Sequence, residues 1–167
     1  RREIRRLFEQ NNIALVSMLP APGGGAGFNV ASPIAEERAA AIDQYKKVAD
    51  QLNEAGALTR KRGIQMAYHN HDFEFKPLSD GSLPQDRIFE GGPGLEWEMD
   101  VAWVIRGGAD PLAWIEKYKD RITAAHVKDI APAGENKDED GRSDVGHGTV
   151  DWKTIIAALR KIVGAEA

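Results

Sequence analysis

Short apolar runs alternate along this chain with longer stretches in which apolar residues recur every three or four positions. Residues 1–10 read as the end of a helix, with Ile4, Leu7 and Phe8 on one side. Ile13-Ala14-Leu15-Val16-Ser17-Met18-Leu19 is then almost continuously apolar, as expected of a strand buried on both faces. Pro20 ends that run, and a glycine-rich loop leads to Val30. Ser32-Pro33 predicts a helix start: a hydroxyl cap, proline in the first turn, then Glu36 and Glu37 near the positive end of the dipole. Ile42, Tyr45, Ala49, Leu52 and Ala55 carry the helical spacing on to about Arg60.

The cycle then repeats. Ile64 to Asn70 predicts a second strand, and residues 71–94 a long polar loop with a short helix near Asp86 to Glu90. A third strand runs from Leu95 to Val101, and Asp110-Pro111 caps a helix bearing Leu112, Ile115 and Tyr118. A fourth strand spans Ile122 to Val127, followed by a charged, glycine-rich loop over 131–148. Asp151 caps a last helix with Ile155, Ile156, Leu159 and Ile162 on one face and Gly164 as its terminator. Strands alternating with helices imply βα units and a parallel sheet. The loops after the strands are longer than those before them, which places function at the strands' C-terminal ends.

Composition narrows the partners. Apolar residues make up 42% of the 167, enough for a core. The formal net charge is -4 with no dense basic stripe, so no nucleic-acid surface is expected; Arg1-Arg2-Glu3-Ile4-Arg5-Arg6 reads as a solvated helix face. The absence of cysteine excludes disulfides and thiolate metal sites. No run approaches the roughly 20 apolar residues of a bilayer span, and the charged N-terminus shows no signal peptide, so a soluble, cytoplasmic protein is expected.

Three strand ends gather polar residues: Tyr68-His69-Asn70-His71-Asp72-Phe73-Glu74, Glu96-Trp97-Glu98-Met99-Asp100, and Ala125-His126-Val127-Lys128-Asp129. Alternation puts His69 and His71 on one face and Asn70 on the other; Glu96, Glu98 and Asp100 share a face, as do His126 and Lys128. If each last residue points inward, His69, Asp100 and His126 converge. Two imidazoles and a carboxylate suit Mn²⁺, Zn²⁺, Co²⁺ or Fe²⁺ better than Mg²⁺ or Ca²⁺. Taken singly, each has an ordinary explanation, a histidine as a hydrogen-bonding residue and Asp100 as a loop cap. Recurrence at the same place on successive strands is what singles them out. Glu74 is a candidate catalytic or supporting carboxylate, or a loop salt bridge. Lys128 is a candidate for an oxyanion or phosphate, or an ion pair, while Asp129 reads as a backbone anchor. Asp144-Val145-Gly146-His147-Gly148-Thr149-Val150-Asp151-Trp152 permits close backbone approach before a helix N-terminus, or is a tight turn and cap. Gly23-Gly24-Gly25 lacks the lysine and spacing of a phosphate loop. Trp97, Trp103, Trp114 and Trp152 divide between core packing and sugar stacking, with Trp114 assigned to the core.

Together these pieces resemble the xylose isomerase-like TIM-barrel family of sugar-phosphate isomerases and epimerases. The resemblance runs from about Leu52 through Gly63–Phe75, Glu98–Trp103, Gly108–Pro111, His126–Asp129 and Asp144–Trp152 to the C-terminus. It implies an α/β fold, a partial (β/α)8 barrel with about four βα units corresponding to strands four to seven. Residues 1–167 would then be a single partial barrel domain, truncated at both ends. It also implies one divalent metal, Mn²⁺ first and Zn²⁺, Co²⁺ or Fe²⁺ otherwise. The family's Glu, Asp, His, Glu ligand set falls on His69, Asp100 and His126, with its fourth member on a strand beyond this chain. His69 would be a third ligand or an acid/base, with Glu74 as the other catalytic candidate. His71, Trp103, Lys128 and His147 would contact substrate. The activity implied is isomerisation or epimerisation of a sugar or keto-sugar through an enediolate. A lyase or dehydratase acting on keto-sugars or dehydroshikimate-like acids is the alternative, and an inactive barrel fragment a further one. DNA hydrolysis, also carried by this barrel, is disfavoured by the net charge of -4. Homo-oligomers are possible partners because a part-barrel leaves open strand edges.

Overall fold

A computed structural model describes residues 34–163 apart from residue 79. The helix end at 1–10, the strand at 13–19, the glycine-rich loop, the Ser32-Pro33 cap and Gly164 all lie outside the described residues.

The first described helix, α1 (Ala35–Arg60), opens with Glu36 and Glu37 in its first turn, as the dipole favours. The residue at its cap position is Ile34, which makes no side-chain cap bond. Its C-terminus unwinds through Gly63, at a φ of 72° that favours glycine, and the Ile64 N–H turns back to Thr59 O (3.1 Å). That turn claims the residues expected to begin the second strand. The strand itself, β1 (Ala67–His69), is therefore shorter than the apolar run suggested. A 3₁₀ turn at Phe73–Phe75 follows, then α2 (Pro84–Gly91), β2 (Glu96–Asp100), α3 (Val101–Arg106) and α4 (Pro111–Lys117). The chain ends its described part with β3 (Ile122–His126), the two-residue strands β4 (Asp129–Ile130) and β5 (Arg142–Ser143), and α5 (Trp152–Val163).

β1, β2 and β3 form a parallel sheet in that order, and β4 and β5 a separate antiparallel pair. The predicted α/β alternation with parallel strands holds over the described residues. Two elements did not show in the sequence pattern. Helix α3 begins where the third strand was expected to finish, because Asp100 Oδ1 accepts the Trp103 N–H (3.1 Å) and caps it. The hairpin of β4 and β5 interrupts the expected loop; two-residue strands are too short to show a period. The Asp110 and Asp151 caps form as expected, on Leu112 N (2.9 Å) and Thr154 N (3.2 Å).

One sheet face packs on the helices. Trp97 and Met99 of β2 are fully buried there with Phe89, Trp114, Ile155 and Leu159. Trp97 meets Phe89 edge-on at 5.5 Å, and Phe75 meets Trp114 at 4.9 Å, geometries aromatic rings prefer. The other face carries Glu96, Glu98 and Asp100. A register shift between Trp97 and Glu98 sets Ile122 level with Trp97, but Ala124 and His126 level with Glu98 and Asp100. This bulge lets Ile122 join the core while His126 stays on the polar face.

Candidate metal centre

Three side chains meet at the C-terminal ends of the three parallel strands. His69 Nε2 stands 3.1 Å from Asp100 Oδ2, His126 Nδ1 stands 3.3 Å from the same oxygen, and the two ring nitrogens are 3.2 Å apart. Lys128 Nζ also reaches Asp100 Oδ2, at 2.7 Å. Asp100 is fully buried, His69 half-buried and His126 open to the mouth, with its side chain 42% exposed.

The strand ends are held by Asn70, which the sequence reading passed over. It is fully buried, and its Oδ1 accepts from Trp97 Nε1 and from the Asp100 N–H, both at 2.9 Å, while its Nδ2 donates to Asp100 O (3.1 Å). A polar residue of opposite parity between two histidines was the available signal: facing away from the site, it needs partners of its own.

Burial holds the His69 imidazole below its usual pKa, against the raising pull of Glu98 and Asp100. Burial also lowers His71, and the nearby Lys128 ammonium adds to that effect. Both shifts favour the neutral ring, which is the form that binds metals. His71 packs edge-on to His69 at 5.3 Å, stacks on Phe73 at 5.7 Å, and lies 5.6 Å from the Trp103 ring. Glu74 is buried; its oxygens accept from Tyr68 Oη (2.6 Å) and from the His71 N–H (2.9 Å). Burial pushes its carboxyl up to about 7, although both hydrogen bonds oppose the shift.

The structure thus brings His69, His71, Asp100, Trp103, His126 and Lys128 together and sets Glu74 behind His71. It leaves His147 apart: the residue is exposed, and among the described residues no hydrogen bond, ion pair or ring contact joins its side chain to the triad. Trp97, Trp114 and Trp152 are core residues, which leaves Trp103 as the tryptophan beside the site. Asp129 is a backbone anchor: its carboxylate accepts from the N–H groups of Ile130 (2.8 Å), Gly146 (2.9 Å), Val150 (3.1 Å) and Gly148 (3.2 Å). Burial pushes it up, but these four donors prevail and hold its pKa below the usual carboxylate range.

The donor geometry tests whether a single ion fits. Ligand atoms about 2.1 Å from one metal stand about 3.0 Å apart at right angles and about 3.4 Å apart in a tetrahedron. The three observed separations, 3.1, 3.2 and 3.3 Å, fall between these limits. His69, Asp100 and His126 can therefore hold one divalent cation. Two imidazoles and a carboxylate suit Mn²⁺, Fe²⁺, Co²⁺ or Zn²⁺.

A parallel sheet with helices on one face and a polar cluster at the strand ends is a section of an α/β barrel. The chain belongs to the xylose isomerase-like TIM-barrel family, whose model matches residues 43–163. It is 31% identical over 96 residues to an inosose dehydratase of Klebsiella pneumoniae, covering 54% of this chain and 30% of that protein. An inosose dehydratase of Lacticaseibacillus casei is 25% identical over 131 residues, 71% of this chain and 44% of the relative. The chain thus spans under half the length of these curated relatives. Among solved structures, it superposes on a sugar phosphate isomerase/epimerase from Parabacteroides distasonis with a TM-score of 0.64 at 22% identity, covering 96% of this chain and 64% of the other. That likeness concerns the fold. A second such protein from the same organism gives a TM-score of 0.55 at 27% identity, over 72% of this chain and 43% of the other. Among the described residues no helix is long and apolar enough to cross a membrane.

Proposed function

We propose that the parent protein is a divalent-metal enzyme that removes the proton next to the carbonyl of a polyhydroxylated keto compound, and that this chain supplies three of its metal ligands. The observation carrying this reading is the triangle of donor atoms of His69, Asp100 and His126. A bound divalent ion would polarise the keto and neighbouring hydroxyl oxygens and so acidify the adjacent C–H. The chain's own residues do the rest. Asn70 fixes the backbone that presents Asp100. Lys128 stabilises negative charge developing on the substrate oxygen. In this reading His71, which packs beside His69 and Trp103, exchanges the proton, and Trp103 offers an apolar wall to the carbon skeleton. In this reading His69 is a ligand, and Glu74 acts behind it by holding the His71 backbone.

The enediolate has two fates. Loss of hydroxide from the next carbon gives a dehydratase, the fate favoured by the likeness to inosose dehydratases. Return of the proton to a neighbouring carbon or to the opposite face gives an isomerase or epimerase, favoured by the likeness to the second Parabacteroides structure.

The test pairs metal content with proton exchange in D₂O. The protein should carry close to one divalent ion and introduce solvent deuterium beside the carbonyl of a keto-sugar or inosose. Asp100→Ala and His126→Ala should lose both properties while keeping the fold. An unsaturated product identifies the dehydratase, and a rearranged sugar the isomerase. Full exchange activity in both metal-free variants would sink the reading.

A further inference from the structure

Three carboxylates share the polar face of β2, one layer above another, and their surroundings differ. Asp100, at the mouth, accepts from Lys128 and faces the two imidazoles. Glu96, at the base, pairs with Arg60 (3.3 Å). Glu98 lies between them, half-buried, and among the described residues no hydrogen bond or ion pair reaches its carboxylate. A carboxylate partly withdrawn from water, with an acid on either side along its own strand, calls for a cationic or hydrogen-bonding partner.

Parallel pairing supplies one. The register sets His69 of β1 level with Glu98, and Ala124 of β3 level with it on the other side. Adjacent strands run about 4.8 Å apart, so a side chain as long as glutamate can reach a level neighbour on the same face. Ala124 offers only a methyl group, which leaves His69 as the polar residue at that level. After burial, the strongest influence on the His69 ring is the Glu98 charge, which raises its pKa, ahead of Asp100.

The two ring nitrogens of His69 are used unequally. Nε2 faces Asp100 and His126 and belongs to the triangle of donor atoms, whereas Nδ1 has no hydrogen-bond partner among the described residues. A neutral imidazole carries one N–H, so a ring that gives the Nε2 lone pair to a cation holds its proton on Nδ1. Ligating histidines are oriented by donating that second N–H to an oxygen.

We propose that Glu98 is a positioning residue for the metal: its carboxylate accepts the Nδ1–H of His69 and fixes the ring with Nε2 toward Asp100 and His126. The proposal rests on the metal reading above. Glu98 stands outside the triangle of donor atoms, so it acts through His69 and not as a ligand. One carboxylate and two neutral rings leave a divalent ion with excess positive charge. A second carboxylate, bonded to one ring, offsets part of it and makes Nε2 a stronger donor.

Zinc calorimetry of the full-length protein tests this, with circular dichroism to check folding. Glu98→Ala should weaken zinc binding by about tenfold, and Glu98→Gln, whose amide oxygen still accepts a hydrogen bond, by less. Glu96→Gln removes the same charge one layer further from the triad and should leave zinc affinity close to that of the wild type. Proton–nitrogen NMR of the zinc-loaded wild type should show a slowly exchanging Nδ1–H on His69 that vanishes in Glu98→Ala. If Glu98→Ala does not fold, that N–H in the wild type and the affinity of Glu98→Gln decide. Unchanged zinc affinity in both Glu98 variants, an equal loss in Glu96→Gln, or a zinc-bound His69 without the N–H would overturn the positioning role alone. Failure of zinc to bind the wild-type protein would overturn the metal reading and the role with it.

Discussion

Asp100 and Asp129 are buried carboxylates at the same end of the sheet, and they have opposite surroundings. Asp129 is closed in by four backbone N–H groups from its own strand and the glycine loop. Asp100 Oδ2 faces three side chains, His69, His126 and Lys128, with only Oδ1 held by a backbone donor. Backbone donors are fixed by the fold and cannot step aside. Side-chain donors can rotate to admit an ion or a substrate oxygen. A buried charge satisfied by main chain is therefore architecture, whereas one satisfied by movable nitrogen ligands is the place for chemistry.

The sharpest way to break this contrast is to remove each acid in turn. Asp129→Ala leaves several donors without an acceptor and should cost about 3–5 kcal/mol, read from urea unfolding, while zinc affinity largely survives. Asp100→Asn should do the reverse. It keeps an oxygen for the α3 cap, so the fold persists, but metal affinity falls by about 100-fold or more in a calorimetric titration. If both variants lose stability alike and neither loses metal, the two acids are equivalent and the contrast fails.

Gly148 probes the architectural side alone. A Cβ there would lie 2.2 Å from Asp129 Oδ1 and 2.4 Å from Ile130 O. Gly148→Ala should accordingly destabilise by about 2 kcal/mol through forced displacement of the clamp, with the triad's zinc affinity unchanged. The last test concerns a third buried acid and reads a pH dependence. Glu74 is raised from 4.5 to about 7 in the folded protein, chiefly by burial, so the folded state binds the extra proton across that window. Its contribution is favourable below about 4.5 and is lost as pH rises through about 7. Glu74→Gln should flatten that part of the pH–stability curve, measured by unfolding midpoints from about pH 5 to about pH 8. An unchanged slope would show that Glu74 is not the group responsible.

Much of this molecule was legible in its residues. The α/β alternation, the Asp110 and Asp151 caps and the core role of Trp114 follow from short-range rules of spacing and capping. The polar strand ends containing His69, Asp100 and His126 were legible because a strand's last residues face the mouth of a parallel sheet. Other features carry no periodic signal in the chain. Helix α3 cuts the third strand short because the Asp100 side chain turns from strand to cap, a choice made by one local hydrogen bond. The bulge that sends Ile122 to the core and His126 to the site has no period to announce it.

The sequence alone therefore determined which elements form and which strand ends carry chemistry, since both depend on contacts within a few residues. Only the tertiary structure decided which polar side chains meet. It joined Asn70 to Trp97 and Asp100, turned Glu74 inward behind His71, left His147 in solvent, and drew Arg106 and Arg142 onto Asp140 beside Lys128. Asn70 reaches Trp97 and Asp100 across 27 and 30 residues, and Arg106 reaches Asp140 across 34; only parallel register and close packing bring such distant positions within hydrogen-bonding reach.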